Sequence, residues 1–195
     1  GADFIAQVQK ETGLKIHVID GSEEARLAAQ GVLLGWPGSY GLVCDIGGGS
    51  MELAEIANGQ VGQSVTSPLG PLKLINVRSG KKGRKALITE TLDRLRDQMG
   101  PQSDRLFLVG GSWRALARID MYRRGYPLHV MHEYQMTPRD VKATVRYIDN
   151  CDLETLRQTI GISQTRLVLV PIAAEILKGL LKRFKPHDIA VSSYG

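Results

Sequence analysis

Three consecutive glycines between two apolar runs constrain the fold of this 195-residue chain more than any other feature. The runs at 41–46 and 51–56 have strand character, and the four residues between them are few enough for a hairpin turn. Asn58-Gly59 is a second turn signal, so residues 61–67 are predicted to return as a third strand. The sequence therefore predicts an antiparallel meander.

Apolar spacing elsewhere predicts helices and strands in alternation. Residues 20–23 offer N-cap candidates, with Glu23 three after Asp20 as in a capping box. The helix that follows should bury a face of Ala25, Ala28, Ala29, Val32 and Leu33 and end near residues 35–38. We expect further helices at 3–12, 86–99, 113–122, 152–160 and 165–184 and from 138, strands at 15–20, 105–109 and 188–192, and a basic loop at 78–85. Such an order predicts an α/β fold with a mixed sheet flanked by helices.

The glycine turn carries residues suited to a phosphate and a metal ion. Successive glycines can form a nest in which adjacent amides face one anion, and Ser50 adds a hydroxyl donor. Asp45 precedes the turn and Glu52 follows it, and carboxylates of this kind hold Mg²⁺. The alternative is a tight hairpin in which glycine serves only to turn the chain. These residues alone leave the two interpretations even.

Glu24 is a candidate general base. Acidic residues in a first helical turn are also favoured simply because they complement the helix dipole, by roughly 0.3–1 kcal/mol. Glu24 lies one turn before Ala28, so it should be nearer the buried edge of its helix than Glu23. A partly buried carboxylate beside a phosphate could take a proton from water.

A second glycine-containing segment, Gly110-Gly111-Ser112, follows a predicted strand and begins a helix. Free amides at a helix N-terminus favour anions, so this is a candidate ligand loop, and a plain strand–helix turn is an equal alternative. The segment matches neither a Walker A loop nor a dinucleotide fingerprint. Basic residues that could line a path for a polyanion, or be solvated surface, are Lys81, Lys82, Arg84, Lys85, Arg114, Arg118, Arg123 and Arg124.

Composition narrows the partners and the compartment. The formal net charge of +5 favours anionic ligands, but aromatic residues make up only 6% of the chain, so we do not expect a nucleic-acid partner. No run approaches the roughly 18 apolar residues of a membrane span, so we expect no membrane partner. Cys44 and Cys151 provide no disulfide framework, and we expect a cytoplasmic protein.

The motifs together resemble the exopolyphosphatase and guanosine pentaphosphate phosphohydrolase (Ppx/GppA) family. The segment Ser22-Glu23-Glu24-Ala25-Arg26 lies about twenty residues before Asp45-Ile46-Gly47-Gly48-Gly49-Ser50, and that pairing is specific. The likeness continues through Ser67-Pro68-Leu69-Gly70 and Val109-Gly110-Gly111-Ser112 to Ile189-Ala190-Val191-Ser192-Ser193-Tyr194-Gly195, so it covers essentially the whole chain.

This resemblance implies an actin-like (ribonuclease H-like) ATPase-type fold with two lobes and an active site between them. Glu24 would activate water against a terminal phosphoryl group of inorganic polyphosphate or guanosine pentaphosphate. Asp45 and Glu52 would hold Mg²⁺, and the phosphate would be bound by the amides of Gly47, Gly48, Gly49 and Ser50. A homodimer is one assembly that fits. The alternative is an actin-like module that binds a nucleotide or polyphosphate without hydrolysing it.

Two departures and one absence qualify the resemblance. Met51 stands where Thr is common, and Trp113 follows Gly-Gly-Ser where a small residue is usual. The family's other phosphate loop has no counterpart here. We therefore interpret residues 1–36 as the tail of a first lobe with its crossover helix and 37–195 as the second lobe. We expect these 195 residues alone to be nearly inactive.

Overall fold

The computed structural model describes residues 2–100 and 104–194, which contain a mixed sheet of six strands. The strands are β1 (Gly41–Ile46), β2 (Met51–Ala57), β3 (Gln60–Ser67), β4 (Arg105–Val109), β5 (Tyr134–Met136) and β6 (Asp188–Val191). Their order across the sheet is β3-β2-β1-β4-β6-β5. Strands β1, β4 and β6 run parallel, and the pairs β1–β2, β2–β3 and β5–β6 are antiparallel. The predicted meander and mixed sheet are confirmed.

Helices cover the two faces of the sheet unequally. They are α1 (Ala2–Thr12), α2 (Gly21–Gly35), α3 (Pro71–Leu74), α4 (Gly80–Met99), α5 (Gly111–Arg124), α6 (Pro138–Asn150), α7 (Leu153–Ile160) and α8 (Gln164–Phe184). The larger core contains α4, α5, α6 and α8 against one face. On the other face α2 buries Ala25, Ala28, Ala29 and Val32, as its spacing predicts. These small side chains let α2 approach the strands closely.

The strand predicted at 15–20 is wrong. These residues form neither helix nor strand, and Val18 is 75% exposed. Alternation of apolar and polar residues favours a strand only where a neighbouring strand supplies hydrogen bonds, and no strand of the described residues pairs with this segment. The helix α1 before it also has no buried residue.

The loop predicted at 78–85 is also wrong, because α4 begins at Gly80. Lysine and arginine are good helix formers, and Arg84 is held by Glu175 of α8 at 2.9 Å. Strand β5 was not predicted from the sequence. It is only three residues long and exists through its pairing with β6.

The helix boundaries were predicted correctly only in part. Asp20 caps α2 as predicted, since its carboxylate accepts a hydrogen bond from the Glu23 amide at 2.9 Å. The capping box is wrong, because the Glu23 carboxylate binds Arg26 at 2.6 and 2.7 Å instead of returning to the cap. Helix α5 begins at Gly111, two residues before the predicted start.

Within the described residues, no single helix is long and apolar enough to cross a membrane. Helices α7 and α8 satisfy such a test of length and composition only as a pair, across a bend of 113°. Gly1, the first residue of the predicted first-lobe tail, and Gly195, the last residue of the predicted second lobe, lie outside the described residues.

Candidate active site

The glycine turn follows β1 and is closed by its own backbone. The Gly47 amide donates to the Ser50 carbonyl at 3.1 Å, so this amide is already engaged. The amides of Gly48, Gly49 and Ser50 have no acceptor within the described part of the chain. Leu72, in the first turn of α3, donates its amide to the Gly48 carbonyl at 2.9 Å and fixes the turn from outside.

Close packing explains the glycines of the turn better than unusual dihedral angles. None of Gly47, Gly48 and Gly49 has a left-handed φ, which the nest interpretation would favour. A methyl group on Gly48 would lie 2.6 Å from the Leu72 side chain. Gly70 is even tighter, because a methyl group there would lie 2.2 Å from the Gly49 carbonyl carbon. Residues around the turn are small because two chain segments meet there.

Two carboxylates flank the turn on paired strands. Asp45 on β1 lies directly opposite Glu52 on β2. Glu52 is 1% exposed, and its Oε1 accepts a hydrogen bond from the Thr66 hydroxyl at 2.9 Å. Its Oε2 is buried without a hydrogen-bond partner. A buried, unpartnered carboxylate oxygen carries a desolvation cost that a bound cation would relieve.

The charges of these carboxylates act on one another. Burial raises the pKa of Asp45 to about 6, and the charges of Glu52 and then Glu24 add to the rise, against a lowering effect from Arg114. Burial also raises the pKa of Glu52; the neighbouring Ser50 and Thr66 hydroxyl groups oppose the rise, and the charge of Glu24 adds to it. Glu24 therefore lies within electrostatic reach of both carboxylates.

Helix α2 brings Glu24 to this place. Its first residue, Gly21, packs on Thr66 of β3 so closely that a methyl group would lie 2.7 Å from the Thr66 hydroxyl oxygen. Thr66 in turn holds Glu52, so the start of α2 is anchored beside the carboxylates. Glu24 is half-buried, whereas Glu23 is engaged by Arg26. The two adjacent glutamates therefore differ in their surroundings, since the Glu23 carboxylate is held by Arg26 and the Glu24 carboxylate is not.

The segment Gly110-Gly111-Ser112 lies beside Asp45, because the parallel strands β1 and β4 end at the same edge of the sheet. Gly110 has a φ of +115°, which favours glycine, and a methyl group there would lie 3.0 Å from Asp45 Oδ1. Gly111 borders Arg166 of α8, whose Nε would lie 3.2 Å from an added methyl group. The structure thus brings the candidate ligand loop to the glycine turn.

A basic cavity of about 260 Å³ adjoins this loop. Arg114, Arg118 and Arg166 line it together with Ser193, and within residues 2–100 and 104–194 none of the three arginines forms a salt bridge. Three other arginines of the predicted basic set are neutralised, since Arg84 pairs with Glu175, and Arg123 and Arg124 pair with Asp120.

Two basic residues at the site, Arg166 and Lys73, are not identifiable from the sequence. Lys73 is exposed, and its Cε would lie 3.7 Å from a methyl group on Gly49, so its side chain runs past the glycine turn. Neither residue belongs to a chemical motif. The only signal for Lys73 is its position three residues after Gly70, and Arg166 has none.

The metal-binding capacity of the site is limited to a carboxylate pair. In the described ranges no group of three or more His, Cys, Asp or Glu side chains has an arrangement that could hold a metal ion. Mg²⁺ commonly binds through one or two carboxylates and fills its remaining positions with water and substrate phosphates. Asp45 and Glu52 fit that kind of site.

A mixed sheet with a glycine turn after β1 and two carboxylates beside the turn defines an α/β domain with a candidate phosphate-binding site. The model of the Ppx/GppA phosphatase family matches residues 1–195, and the chain belongs to this family. Exopolyphosphatase 1 of Mycobacterium leprae is 35% identical over 74 residues, which are 37% of this chain and 22% of that protein. The chain thus matches about a fifth of the length of this curated relative.

Solved structures match over the whole chain. An exopolyphosphatase from Cytophaga hutchinsonii superposes with a TM-score of 0.84 at 20% identity, covering 100% of this chain and 66% of that one. A Ppx/GppA family member from Aquifex aeolicus gives a TM-score of 0.77 at 21% identity and covers 100% and 65%, respectively. At these identities the similarity establishes the fold.

Proposed function

We propose that the intact protein is a phosphohydrolase that removes the terminal phosphate from inorganic polyphosphate or guanosine pentaphosphate. The observation that carries the proposal is the position of Glu24, half-buried and in electrostatic reach of Asp45 and Glu52 beside the glycine turn. Within the described chain Glu24 forms no salt bridge, so its carboxylate is available to water. Membership of the Ppx/GppA phosphatase family supports the same reaction class.

In the proposed mechanism the Glu24 carboxylate accepts a proton from a water molecule. The water oxygen forms a bond to the terminal phosphorus, and the bond from that phosphorus to the bridging oxygen breaks. The shortened chain leaves with the bridging oxygen. The amides of Gly48, Gly49 and Ser50 donate hydrogen bonds to phosphoryl oxygens. Catalysis of this kind depends mainly on positioning and on charge neutralisation.

Asp45 and Glu52 are the residues that would hold Mg²⁺, which would supply positive charge to offset the charge of the phosphates. The unpartnered Oε2 of Glu52 and the Asp45 carboxylate on the directly opposite residue support a cation at this place. Thr66 fixes the orientation of the Glu52 carboxylate by its hydrogen bond.

The surrounding charges suit a substrate with several phosphates. Lys73 runs past one side of the turn, and the cavity of Arg114, Arg118 and Arg166 adjoins the Gly110-Gly111-Ser112 loop. A chain of phosphates could contact both. Inorganic polyphosphate needs nothing more than such a basic path, whereas a guanosine nucleotide also needs a place for its base.

Replacing Glu24 with Gln in the intact protein tests the proposal. The amide keeps the shape of the side chain but cannot accept the proton, so we expect kcat to fall by about 10²- to 10⁴-fold with substrate binding retained. Phosphate release and equilibrium binding of polyphosphate measure the two effects. Glu23→Gln is the matched control. It removes the same charge one residue away, where the carboxylate is already bound by Arg26.

Unchanged turnover in Glu24→Gln would exclude Glu24 as the base. Tight binding by the wild-type protein without phosphate release would favour the alternative, a non-hydrolytic actin-like binding module. The slow turnover that we expect from the 195-residue chain by itself stays a prediction.

A further inference from the structure

A second cavity, of about 450 Å³, opens between α6 and α8. We call it the lysine pocket. Val141 and Val145 of α6 and Leu181 of α8 form its floor, and Pro138 and Pro186 lie at one end. Its remaining lining residues are four lysines, Lys142, Lys178, Lys182 and Lys185.

The lysine pocket is separate from the candidate active site. Met136 pairs with Ile189, which places the start of α6 beside the end of α8, before β6 begins. The glycine turn and Gly110 instead follow the ends of β1 and β4, which are parallel to β6. The pocket therefore lies at the opposite edge of the sheet.

The charged side chains that line the lysine pocket are all positive. None of its lining residues is acidic, and within the described ranges none of the four lysines forms a salt bridge. Lys182 also acts on a carboxylate outside the pocket, since its charge helps to hold the pKa of Asp93 below its usual range. Four like charges around one opening raise the local concentration of anions.

The floor is apolar and recessed. Val141 is fully buried, and Val145 and Leu181 are each 7% exposed, so little of the floor is open to solvent. Lysine side chains present methylene groups along their length and keep their charge at the tip, so they extend the apolar walls outward. A broad partner surface could not reach this floor, whereas a slim alkyl chain could.

The dimensions also suit a small ligand. The step from Pro138 to Val145 on α6 is seven residues, which is about 10 Å along a helix. A cavity of this volume, apolar inside and with a few polar groups at its mouth, is typical of small-molecule sites. We propose that the lysine pocket binds a free single-chain alkyl carboxylate, with the chain on the Val141–Val145–Leu181 floor and the carboxylate among the lysines.

A second copy of the chain is a poor occupant of this pocket. A symmetric contact would set the same lysines against each other, and like charges placed together are unfavourable. An anionic membrane would satisfy the charges, but a flat surface leaves the recessed floor empty.

Binding of decanoate to the intact protein, measured by calorimetry below its micelle concentration, tests the proposal. Decyltrimethylammonium has the same chain with the opposite charge, so we expect its binding to be at least about tenfold weaker. The double substitution Lys178→Gln/Lys182→Gln should weaken decanoate binding by a similar factor. Lys81→Gln/Lys82→Gln is the matched control, because it removes two exposed lysines from the start of α4 and should leave binding within about twofold.

Several outcomes would overturn the proposal. These are the absence of decanoate binding, equal binding of the two amphiphiles, and equal losses in the two double variants. Binding to vesicles of anionic lipid without binding of monomeric decanoate would assign the lysines to a membrane surface. Loss of a dimer in Lys178→Gln/Lys182→Gln, seen by sedimentation without decanoate binding, would assign them to a protein interface.

Discussion

At the scale of single residues, Asp45 connects the site to the stability of the protein. Burial and two neighbouring carboxylates raise its pKa to about 6, so the folded state holds the proton more tightly than the unfolded chain. The contribution of this group to stability is therefore fully present below the ordinary Asp range and is lost as pH rises through about 6. Near pH 7 the ionised Asp45 destabilises the metal-free protein.

Replacing Asp45 with Asn should remove that effect. We expect the metal-free variant to have a higher Tm than the wild type at pH 7, by several degrees, and a similar Tm at about pH 4. Thermal unfolding in the presence of a chelator measures both values. Asp93→Asn is the control, and its Tm at pH 7 should be lower than that of the wild type. The reason is that Arg183 holds the pKa of Asp93 below its usual range.

Magnesium should reverse the order of the Tm values of the wild type and Asp45→Asn. A cation between Asp45 and Glu52 stabilises only the folded state, so added Mg²⁺ should raise the Tm of the wild type and have little effect on Asp45→Asn. An equal rise in both proteins would mean that Asp45 is not a metal ligand.

Candidate site residues with a chemical motif could be identified from the sequence, and candidates without one could not. Asp45, Glu52 and Glu24 are recognisable because their spacing relative to the glycine turn has a chemical meaning. The structure pairs Asp45 with Glu52 and places Glu24 within electrostatic reach of both. Arg166 and Lys73 reach the site only because α8 and α3 pack where they do. That packing is a property of the tertiary structure and leaves no local pattern.

At the scale of elements, the glycine turn depends on the segment that joins β3 to α3. Gly70 lies against the peptide between Gly49 and Ser50, and a methyl group there would lie 2.4 Å from the Ser50 nitrogen. Since the obstructing atoms belong to the backbone, they cannot move aside as a flexible side chain would. Gly70→Ala should therefore displace the turn itself.

We expect Gly70→Ala to lower the free energy of unfolding by about 1–3 kcal/mol and to weaken phosphate binding. Gly47→Ala is the comparison within the turn, where a methyl group would be 3.8 Å from the nearest atom, the Ser50 carbonyl oxygen, and φ is not left-handed. Its stability should be close to that of the wild type. Denaturant unfolding measures the free energy of unfolding of the two variants, and equal values would contradict the packing argument.

Elements with strong periodicity were predictable, and elements defined by their neighbours were not. The face of α2 and the meander follow from local patterns that the tertiary structure preserves. Residues 15–20 have a strand pattern without a neighbouring strand, and β5 has a neighbour without a recognisable pattern. Strand formation depends on pairing, so a sequence pattern decides it only in part.

At the scale of the whole molecule, the net charge of +5 and the cavity of Arg114, Arg118 and Arg166 predict how turnover responds to salt. If long polyphosphate is the substrate, encounter with these charges should limit the rate at low substrate concentration. Salt screens exposed charges over about 8–10 Å, so kcat/KM should fall steeply between about 50 and about 300 mM NaCl, with kcat little changed.

Arg118→Gln should make that decline shallower, because it removes one unpaired charge from the cavity. Lys81→Gln loses the same charge from α4 and should keep the wild-type slope. A salt response that is the same for wild type and Arg118→Gln would place the polyphosphate path elsewhere. A shallow response in the wild type, together with faster turnover of guanosine pentaphosphate, would assign the nucleotide as the substrate, since a small ligand engages fewer of these charges at once.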